Sequence, residues 1–306
     1  MLNLVICTDR NNLWGASVTV LSALERCSTS CNIYVIGVNL TRHDESNLLK
    51  SWAHANKADV KFFNLSPEML APFRATLYLK SKAAYARLFL SDFLQEQDRC
   101  IYLDTDLLIC VDLNELYETN LNGQIAGCVK DISVRAPNSL ASQMYRLKQD
   151  FGLQDPEMYF NSGVMLIDLD AWREHEIGKK SVQIGIEKFD VLDSQDQDIL
   201  NISLEGRWLA LDVRWNTSQY EATQNFDNGI LHLIGRIKPW HPDYHYLFSD
   251  RFFSILDRTA YAGKRPSASK VAVVLKRIMR DIPTFEMLVL KIQRVLKRSG
   301  SAFYQQ

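Results

Sequence analysis

The sequence predicts an α/β protein built on a mainly parallel sheet with helices on both faces. Strand-like and helix-like segments alternate through the first half of the chain, which is typical of parallel strands joined by helical crossovers. The chain has 306 residues, 47% of them apolar, and shows no internal repeat or low-complexity linker. It can therefore bury a large core. We expect one domain over residues 1–257 and a separate tail over residues 258–306.

The predicted elements follow one another in a regular order. Strands are expected at 4–8, 32–38, 59–65, 99–109, 124–131, 159–169 and 229–240, and helices at 14–26, 42–56, 82–94 and 196–204. Ligands of such sheets bind at the carboxyl ends of the strands. Asp9 and the pair Asp104 and Asp106 lie at two of these ends. Their position is the first indication that these carboxylates serve a ligand.

Two further polar segments lie at predicted element ends. Asn161, Ser162 and Gly163 are expected to form a corner directly before a buried strand, which a plain turn would also explain. Asp196 and Gln197 lie at a predicted helix start. Acidic residues there complement the helix dipole, so N-capping is an alternative to ligand binding.

The segment "YLDTDLLI" ends an apolar run with two carboxylates, Asp104 and Asp106. On an extended chain both point the same way and Thr105 the opposite way, and the two charges repel unless a proton or a cation lies between them. A surface turn is one alternative, although turns usually recruit Gly, Asn or Pro. A phosphate-transferring aspartate is another, but Leu108 replaces the Thr or Val of that motif, and the pair follows the fourth strand. Oxygen ligands for Mg²⁺ or Mn²⁺ fit better.

The segment "HLIGRIKPW" supplies a second set of candidates. His232 lies at a strand end, Gly235 allows close approach of the backbone, and Lys238 precedes a rigid Pro-Trp pair. A single histidine is more often structural. At this spacing, however, an imidazole for a metal, with a backbone amide and an ammonium for phosphate oxygens, suits a diphosphate.

The net charge of −1 conceals an uneven distribution. Residues 264–298 contain ten Lys or Arg and two acids, a charge of +8 that leaves −9 on the rest of the chain. In residues 284–298 apolar and basic residues occupy opposite helical faces, as in helices that lie on an anionic membrane surface. A helix packed on the protein's own core is the alternative. Nucleic acid is not expected as a partner, because the body is acidic and no stacking residues accompany the basic run.

The cellular compartment and the redox state of the cysteines are inferred from features that the sequence lacks. The start "MLNLVICTDRN" shows no secretory signal, and no apolar stretch approaches the ~20 residues that span a bilayer. The six cysteines include no CxxC pair and lie mostly in apolar segments. We therefore expect reduced core cysteines in a cytoplasmic protein. Cys27 and Cys31 alone are close enough to suggest a metal or redox role.

Four segments in this order, "YLDTDLLI", "YFNSGVMLIDL", "DQDILN" and "HLIGRIKPW", resemble glycosyltransferase family 8. The segment "AAYARLFL" is similar to the family's helix with an arginine near the donor sugar, which would be Arg87. The resemblance extends over about residues 3–245. It implies a Rossmann-like sheet of the GT-A type, followed here by the basic helical tail. It also implies an enzyme that transfers glucose or galactose from a UDP-sugar with retention of configuration.

The resemblance also implies a role for each candidate. Mn²⁺, or Mg²⁺ as the alternative, would be ligated by Asp104, Asp106 and His232. The nucleotide and its diphosphate would be bound by Thr8, Asp9, Asn11, Thr105, Gly235 and Lys238. The hexose would be surrounded by Arg87, Asp131, Asn161, Asp196 and Gln197. The family often has an aromatic residue against uracil where this chain has Asn12, so Trp14 or a different nucleoside contact is expected.

The acceptor and the location follow from the tail and the resemblance together. We expect a UDP-hexose donor and an oligosaccharide or glycolipid acceptor such as a lipopolysaccharide core. We also expect a cytoplasmic enzyme bound peripherally to the inner face of the cell membrane. Alternatives are a protein or polysaccharide acceptor, or a non-catalytic module that binds nucleotide sugars or glycans. For retention we favour same-face attack by the acceptor, with a UDP phosphate oxygen taking the proton, over a covalent intermediate on Asp196.

Overall fold

The computed structural model describes residues 1–55, 58–73, 82–135, 147–189, 192, 194–235, 237–242, 244 and 247–267. Met1–Lys264 form one compact unit, and only the first three residues of the second unit, Arg265–Gln306, are described. The basic helix expected at 284–298 lies outside the described residues, so the helix and the division at residue 257 stay predictions. Within the described ranges, no helix is both long and apolar enough to cross a membrane.

Two sheets organise the first unit. The strands are β1 (Leu2–Asp9), β2 (Cys31–Val38), β3 (Ala58–Asn64), β4 (Arg99–Leu103), β5 (Leu107–Ile109), β6 (Ala126–Lys130), β7 (Phe160–Asp168), β8 (Trp208–Ala210), β9 (Thr217–Ser218) and β10 (Ile230–His232). The larger sheet has the order β3-β2-β1-β4-β7-β6-β8, and the smaller β5-β10-β9. Among the described strands of the larger sheet, β7 alone runs antiparallel to its neighbours. The prediction of a mixed, mainly parallel α/β fold is confirmed.

Helices flank the larger sheet on both faces. They are α1 (Leu13–Arg26), α2 (Arg42–Trp52), α3 (Pro67–Leu70), α4 (Leu90–Phe93), α5 (Asn114–Tyr117), α6 (Ile132–Arg135), α7 (Leu169–Glu174), α8 (Ile177–Glu187), α9 (Asp196–Ser203) and α10 (Ser249–Leu256). Short 3₁₀ helices lie at Ala53–Ala55, Lys82–Phe89, Pro156–Met158 and Val213–Asn216. Successive side chains of β1 alternate between two apolar cores, since Leu4 and Ile6 pack into one with α1 while Val5 and Cys7 pack into the other. Burial on both faces is the reason that the middle of β1, residues 4–7, is an unbroken apolar run.

Two predicted elements are shorter or tighter than expected. The helix expected at 82–94 is a 3₁₀ helix over Lys82–Phe89 followed by one α-helical turn. The strand expected at 229–240 is limited to Ile230–His232, and Gly235 adopts φ +110° three residues later. That backbone conformation is not strand-like and favours glycine, so the segment turns beside β10 instead of extending it.

Two other predicted segments are rearranged around the turn at Asp104–Asp106. The strand expected at 99–109 is divided between the two sheets, because the Asp104 amide donates to Gly163 in the larger sheet while the Asp106 carbonyl accepts from Leu233 in the smaller. The expectation of a corner before a buried strand was wrong, since Asn161 and Gly163 lie inside β7. The register of β7 with β6 shifts next to Asn161, and this bulge allows a polar segment within a buried strand.

The cysteines agree with the expectation of a reduced core. All six lie in the described part of the chain, are buried, and form no disulfide. Burial raises the pKa of the Cys7, Cys100 and Cys128 thiols, which keeps them as neutral, weakly reactive groups.

Candidate active site

Strand pairing brings three of the predicted residues together. Asp104 and Asp106 lie between β4 and β5, and His232 ends β10, which pairs antiparallel with β5. His232 Nε2 is 3.2 Å from Asp106 Oδ1 and 3.9 Å from Asp104 Oδ2. One nitrogen or oxygen atom from each residue lies within 4.8 Å of the other two. Two carboxylate oxygens and one imidazole nitrogen at this spacing form a donor set that fits a divalent cation.

Each carboxylate of the pair is also held by a cationic side chain. Asp104 Oδ1 accepts hydrogen bonds from Arg87 Nη2 at 2.6 Å and from the Tyr102 hydroxyl at 2.8 Å. Asp106 pairs with the Lys238 ammonium, which also donates to the Leu233 carbonyl at 3.1 Å. Burial alone would raise the pKa of Asp106, but Lys238 and His232 outweigh it and hold that pKa below its usual range. Asp106 is therefore present as a carboxylate.

Two glycines make the close packing around this cluster possible. A Cβ on Gly163 would lie 2.2 Å from His232 Cε1 and 2.9 Å from Asp104 Oδ2. A Cβ on Gly15, in the first turns of α1, would lie 2.2 Å from the Thr105 carbonyl oxygen. All three distances are shorter than real Cβ contacts, so the turn that carries the carboxylates lies directly against α1 on one side and β7 on the other.

A cleft of about 320 Å³ opens over the cluster. Eight of the predicted site residues line it: Arg87, Asp104, Thr105, Asp106, Asn161, His232, Gly235 and Lys238. A larger groove of about 750 Å³ lies elsewhere, between α4, α7 and α8, and none of the predicted site residues lines it. We assign the chemistry to the smaller cleft, because the charged groups and the candidate ligands converge there.

The turn after β1 is ordered by Asp9 and ends at the cleft. Asp9 Oδ1 accepts hydrogen bonds from the Asn11 amide and from Asn12 Nδ2, both at 3.0 Å, and Asp9 Oδ2 accepts from Asn11 Nδ2 at 3.1 Å. Thr8 is completely buried at the end of the strand. Asn12 lines the cleft, whereas Trp14 is partly buried against the core of α1.

Arg87 connects the cluster to the start of α9. Its Nε lies 3.1 Å from Asp196 Oδ2, and its Nη1 donates to the carbonyl and hydroxyl oxygens of Ser162, both at 3.0 Å. Burial opposes the charge on Arg87, but the Asp104 and Asp196 carboxylates raise its pKa further above its ordinary value. Burial raises the pKa of Asp196 to about 6, although Arg87 acts in the opposite direction. Asp196 thus pairs with Arg87 and is the first residue of its helix, while the N-cap position is Gln195, whose side chain forms no capping bond.

The remaining predicted residues form a hydrogen-bonded group beside the cleft. Asp131 Oδ2 accepts from Asn161 Nδ2 at 3.0 Å and from Gln197 Nε2 at 3.3 Å. The Gln197 amide also donates to the Tyr159 hydroxyl at 3.1 Å and accepts from the Ser162 amide at 3.2 Å. These contacts hold Gln197 in one orientation across β7.

Several supporting residues were missed by the sequence analysis. Asn216 lies between two predicted residues, with its Oδ1 2.8 Å from His232 Nδ1 and its Nδ2 donating to Asn161 Oδ1 at 2.9 Å. Tyr102 and Tyr159 are the first residues of the segments "YLDTDLLI" and "YFNSGVMLIDL" and could have been included for that reason. Asn216 belongs to no such segment, and no local pattern points to it.

Comparison with known proteins agrees with this geometry. The family model described as "Glycosyl transferase family 8" matches residues 3–243. The chain is 26% identical over 285 residues to general stress protein A of Bacillus subtilis (strain 168), which covers 85% of this chain and 95% of the relative. It is also 26% identical over 294 residues to lipopolysaccharide 1,2-glucosyltransferase of Escherichia coli (strain K12), which covers 90% and 83%.

Solved structures show the same architecture. The galactosyltransferase LgtC, in complex with donor and acceptor sugar analogues, superposes with a TM-score of 0.73 at 25% identity, over 88% of this chain and 98% of LgtC. An active-site variant of LgtC, in which glutamate replaces a glutamine, gives a TM-score of 0.72 at 26% identity over the same shares. The GT-A type of fold expected from the resemblance is thus confirmed. The chain belongs to glycosyltransferase family 8 and is a glycosyltransferase.

Proposed function

We propose that this enzyme transfers glucose or galactose, with retention of configuration, from a UDP-sugar to a saccharide acceptor and requires a divalent cation. The observation that carries the proposal is the convergence of Asp104, Asp106 and His232 beneath a cleft that also contains Lys238. The names of two relatives are consistent with a hexosyl donor, since one is a glucosyltransferase and the other, LgtC, a galactosyltransferase.

The donor set supports Mn²⁺ over Mg²⁺. Carboxylate oxygens suit both ions, whereas the imidazole nitrogen of His232 suits transition metals better. When bound, the cation would supply Lewis-acid stabilisation of the negative charge on the leaving diphosphate. Asp104 and Asp106 would hold it from one side and His232 from the other.

The protein's own groups would bind the diphosphate and the nucleoside. Lys238, which pairs with Asp106 here, would turn to the phosphate oxygens once a cation neutralises that carboxylate. The left-handed backbone of Gly235 suits close approach of a phosphate. At the other end of the cleft, Asp9 would order the loop of Asn11 that meets uridine, and Asn12 would replace the aromatic contact with uracil.

The hexose would lie against the hydrogen-bonded group beside the cleft. Arg87 and Asn161 line the cleft directly, and Asp131 joins Asn161 to Gln197. An amide at Gln197 offers hydrogen bonds to sugar hydroxyls but is a poor nucleophile. The replacement of an active-site glutamine in LgtC is consistent with a functional role for this residue type.

For retention, we favour attack by the acceptor on the face that the diphosphate leaves. A covalent route needs an available carboxylate on the far face, but Asp196 is buried and paired with Arg87. A phosphate oxygen of UDP would accept the acceptor's proton. Detection by mass spectrometry of a hexosyl adduct on Asp196 would overturn this part of the proposal.

The acceptor is proposed to be a glycolipid such as a lipopolysaccharide core. Two relatives carry that substrate in their names, a glucosyltransferase of Escherichia coli and the 1,3-galactosyltransferase of Salmonella typhimurium. The +8 charge of residues 264–298 would bind the enzyme to the anionic inner face of the cell membrane.

Deleting the chain after residue 263 should abolish sedimentation with anionic vesicles. Unchanged sedimentation would count against the membrane contact, and transfer to protein or polysaccharide would count against the lipid acceptor.

One experiment tests the central proposal directly. Calorimetry with UDP should show tight binding in Mn²⁺ buffer and weak binding in chelator, and UDP-glucose or UDP-galactose should slowly release UDP when Mn²⁺ is present. UDP binding that is indifferent to the metal would contradict the proposal. Metal-dependent binding without any release of UDP would instead favour the alternative of a non-catalytic binding module.

A further inference from the structure

We propose that Asn216 positions His232 for the cation by keeping the imidazole hydrogen on Nδ1, which leaves the Nε2 lone pair directed at the carboxylates. This inference rests on the metal site of the proposed function. Asn216 lies outside the sequence motifs. Its role follows from a series of hydrogen bonds that begins at a backbone amide, a group that can only donate.

The starting point is the backbone amide of Gly163, which can only donate. It donates to Asn161 Oδ1 at 3.0 Å, so the oxygen end of the Asn161 amide must face the strand. The other end agrees, since Asn161 Nδ2 donates to the Asp131 carboxylate at 3.0 Å, an acceptor when ionised. The orientation of Asn161 is therefore fixed from both sides.

The orientation of Asn216 follows from that of Asn161. Asn161 Oδ1 can only accept, so the group that faces it at 2.9 Å must be the Asn216 NH₂. The Asn216 oxygen then faces His232 Nδ1 at 2.8 Å. An oxygen lone pair at this distance requires a hydrogen on Nδ1. In the neutral imidazole Nε2 then carries no hydrogen and presents its lone pair to Asp106 Oδ1 at 3.2 Å.

In the neutral imidazole this lone pair and the carboxylate repel, so Nε2 must hold either a second proton or a cation. The opposite tautomer would place its hydrogen toward Asp106 but would set the Nδ1 lone pair against the Asn216 oxygen. Asn216 and His232 are each only 4% exposed, so water cannot easily replace the lost bond. The series of hydrogen bonds from Gly163 through Asn161 and Asn216 to His232 thus selects the tautomer that binds a metal. Hydrogen-bond partners of metal-binding histidines commonly have this effect.

The test measures binding of Mn²⁺ alone to the full-length protein by calorimetry. Asn216→Leu keeps the approximate size and removes the acceptor, and we expect it to weaken Mn²⁺ binding about 10- to 100-fold. Asn216→Asp retains an acceptor for Nδ1–H but loses the hydrogen bond to Asn161 Oδ1, so it should weaken Mn²⁺ binding clearly less than Asn216→Leu does. Pulsed electron paramagnetic resonance should show an imidazole nitrogen coupled to Mn²⁺ in the wild type and in Asn216→Asp, but a lost or altered coupling in Asn216→Leu.

The variant His232→Ala distinguishes failure of the positioning role of Asn216 from failure of the metal site itself. If His232→Ala weakens Mn²⁺ binding and Asn216→Leu leaves both affinity and coupling unchanged, the positioning role is wrong while the metal site stands. If His232→Ala has no effect either, the metal site itself is wrong. Circular dichroism and thermal melting establish that each variant is folded. Should Asn216→Leu not fold, Asn216→Ala removes the same acceptor and carries the same expectation.

Discussion

Gly163 and His232 are in such close contact that any side chain at residue 163 must displace the imidazole. A Cβ would lie 2.2 Å from His232 Cε1 and 2.8 Å from Nδ1, the nitrogen that bonds to Asn216. A backbone position in the middle of β7 therefore controls the placement of a residue from another sheet. The packing of the two sheets against each other, and not the local chain, determines where the candidate metal ligand lies.

Gly163→Ala should consequently weaken Mn²⁺ binding at least about tenfold, since the imidazole must move or rotate out of reach of the carboxylates. Mn²⁺ titration by calorimetry measures the effect. Gly127→Ala is the matched control in the neighbouring strand β6, where the added Cβ would meet the flexible end of Leu121 at 2.9 Å, away from the site. Equal losses of Mn²⁺ affinity in the two variants would indicate a general defect of the sheet.

Lys238→Met should change the affinities for Mn²⁺ and for UDP in opposite directions. In the absence of nucleotide the Lys238 ammonium pairs with Asp106 and competes with a cation for that carboxylate, so its removal should strengthen binding of Mn²⁺ alone. In the presence of Mn²⁺ the same change should weaken UDP binding about tenfold, because a charge-assisted hydrogen bond to phosphate is lost.

Two titrations, one with Mn²⁺ alone and one with UDP at saturating Mn²⁺, check this prediction. Lys179→Met, at an exposed lysine paired with Glu176 on α8, controls for the loss of one positive charge. A parallel loss of both affinities in Lys238→Met would show that Lys238 does not exchange between the carboxylate and the diphosphate.

The parts of the fold that follow from local patterns could be predicted from the sequence. The strand at Leu2–Asp9 and the helix at Leu13–Arg26 were expected to within two residues, because apolar runs and helical spacing carry that information locally. The segment Lys82–Phe89 was expected to be an α-helix. Its residues Tyr85 to Phe89 are all buried, so no single apolar face distinguishes an α-helix from the tighter 3₁₀ helix found there.

In the site, too, residues within local motifs could be predicted, whereas contacts that depend on the folded structure could not. Asp104, Asp106 and His232 could be proposed because each lies in a recognisable segment, and strand pairing then brings them together. Asn216 could not, since its position beside His232 results from the pairing of β9 with β10, which brings together residues distant in sequence. Lys238 was expected at a diphosphate. Its contact with Asp106 could not be foreseen, because it depends on the turn at Gly235.

Arg87 should be coupled energetically to Asp196 through their ion pair. Arg87→Met removes a buried cation from between two carboxylates, and we expect a loss of about 3–5 kcal/mol in the free energy of unfolding. In the Asp196→Asn background the same substitution should cost less, with a coupling energy of about 0.5–3 kcal/mol. Urea denaturation of the wild type, both single variants and the double variant at one pH completes the cycle. Additive losses would mean that the 3.1 Å contact contributes no measurable coupling.

Asp196 should also make stability depend on pH, in a direction set by its raised pKa. Burial, against the opposing effect of Arg87, raises this pKa from 3.8 to about 6, so the folded protein holds the proton more tightly than the unfolded chain. The contribution of Asp196 to stability is therefore fully present below the unfolded pKa and is lost as the pH rises through the folded pKa. At ~1.4 kcal/mol for each pKa unit, the change amounts to about 3 kcal/mol.

Asp196→Asn cannot ionise and should lose this dependence. The free energy of unfolding of the variant minus that of the wild type should therefore increase by up to about 3 kcal/mol between about pH 4 and about pH 7. Urea denaturation at several pH values measures this difference. Asp170→Asn, at an exposed aspartate paired with Arg173, corrects for the general effect of replacing an aspartate. A difference that stays constant, or decreases, over this range would mean that Arg87 stabilises the Asp196 carboxylate at least as strongly as burial opposes its charge.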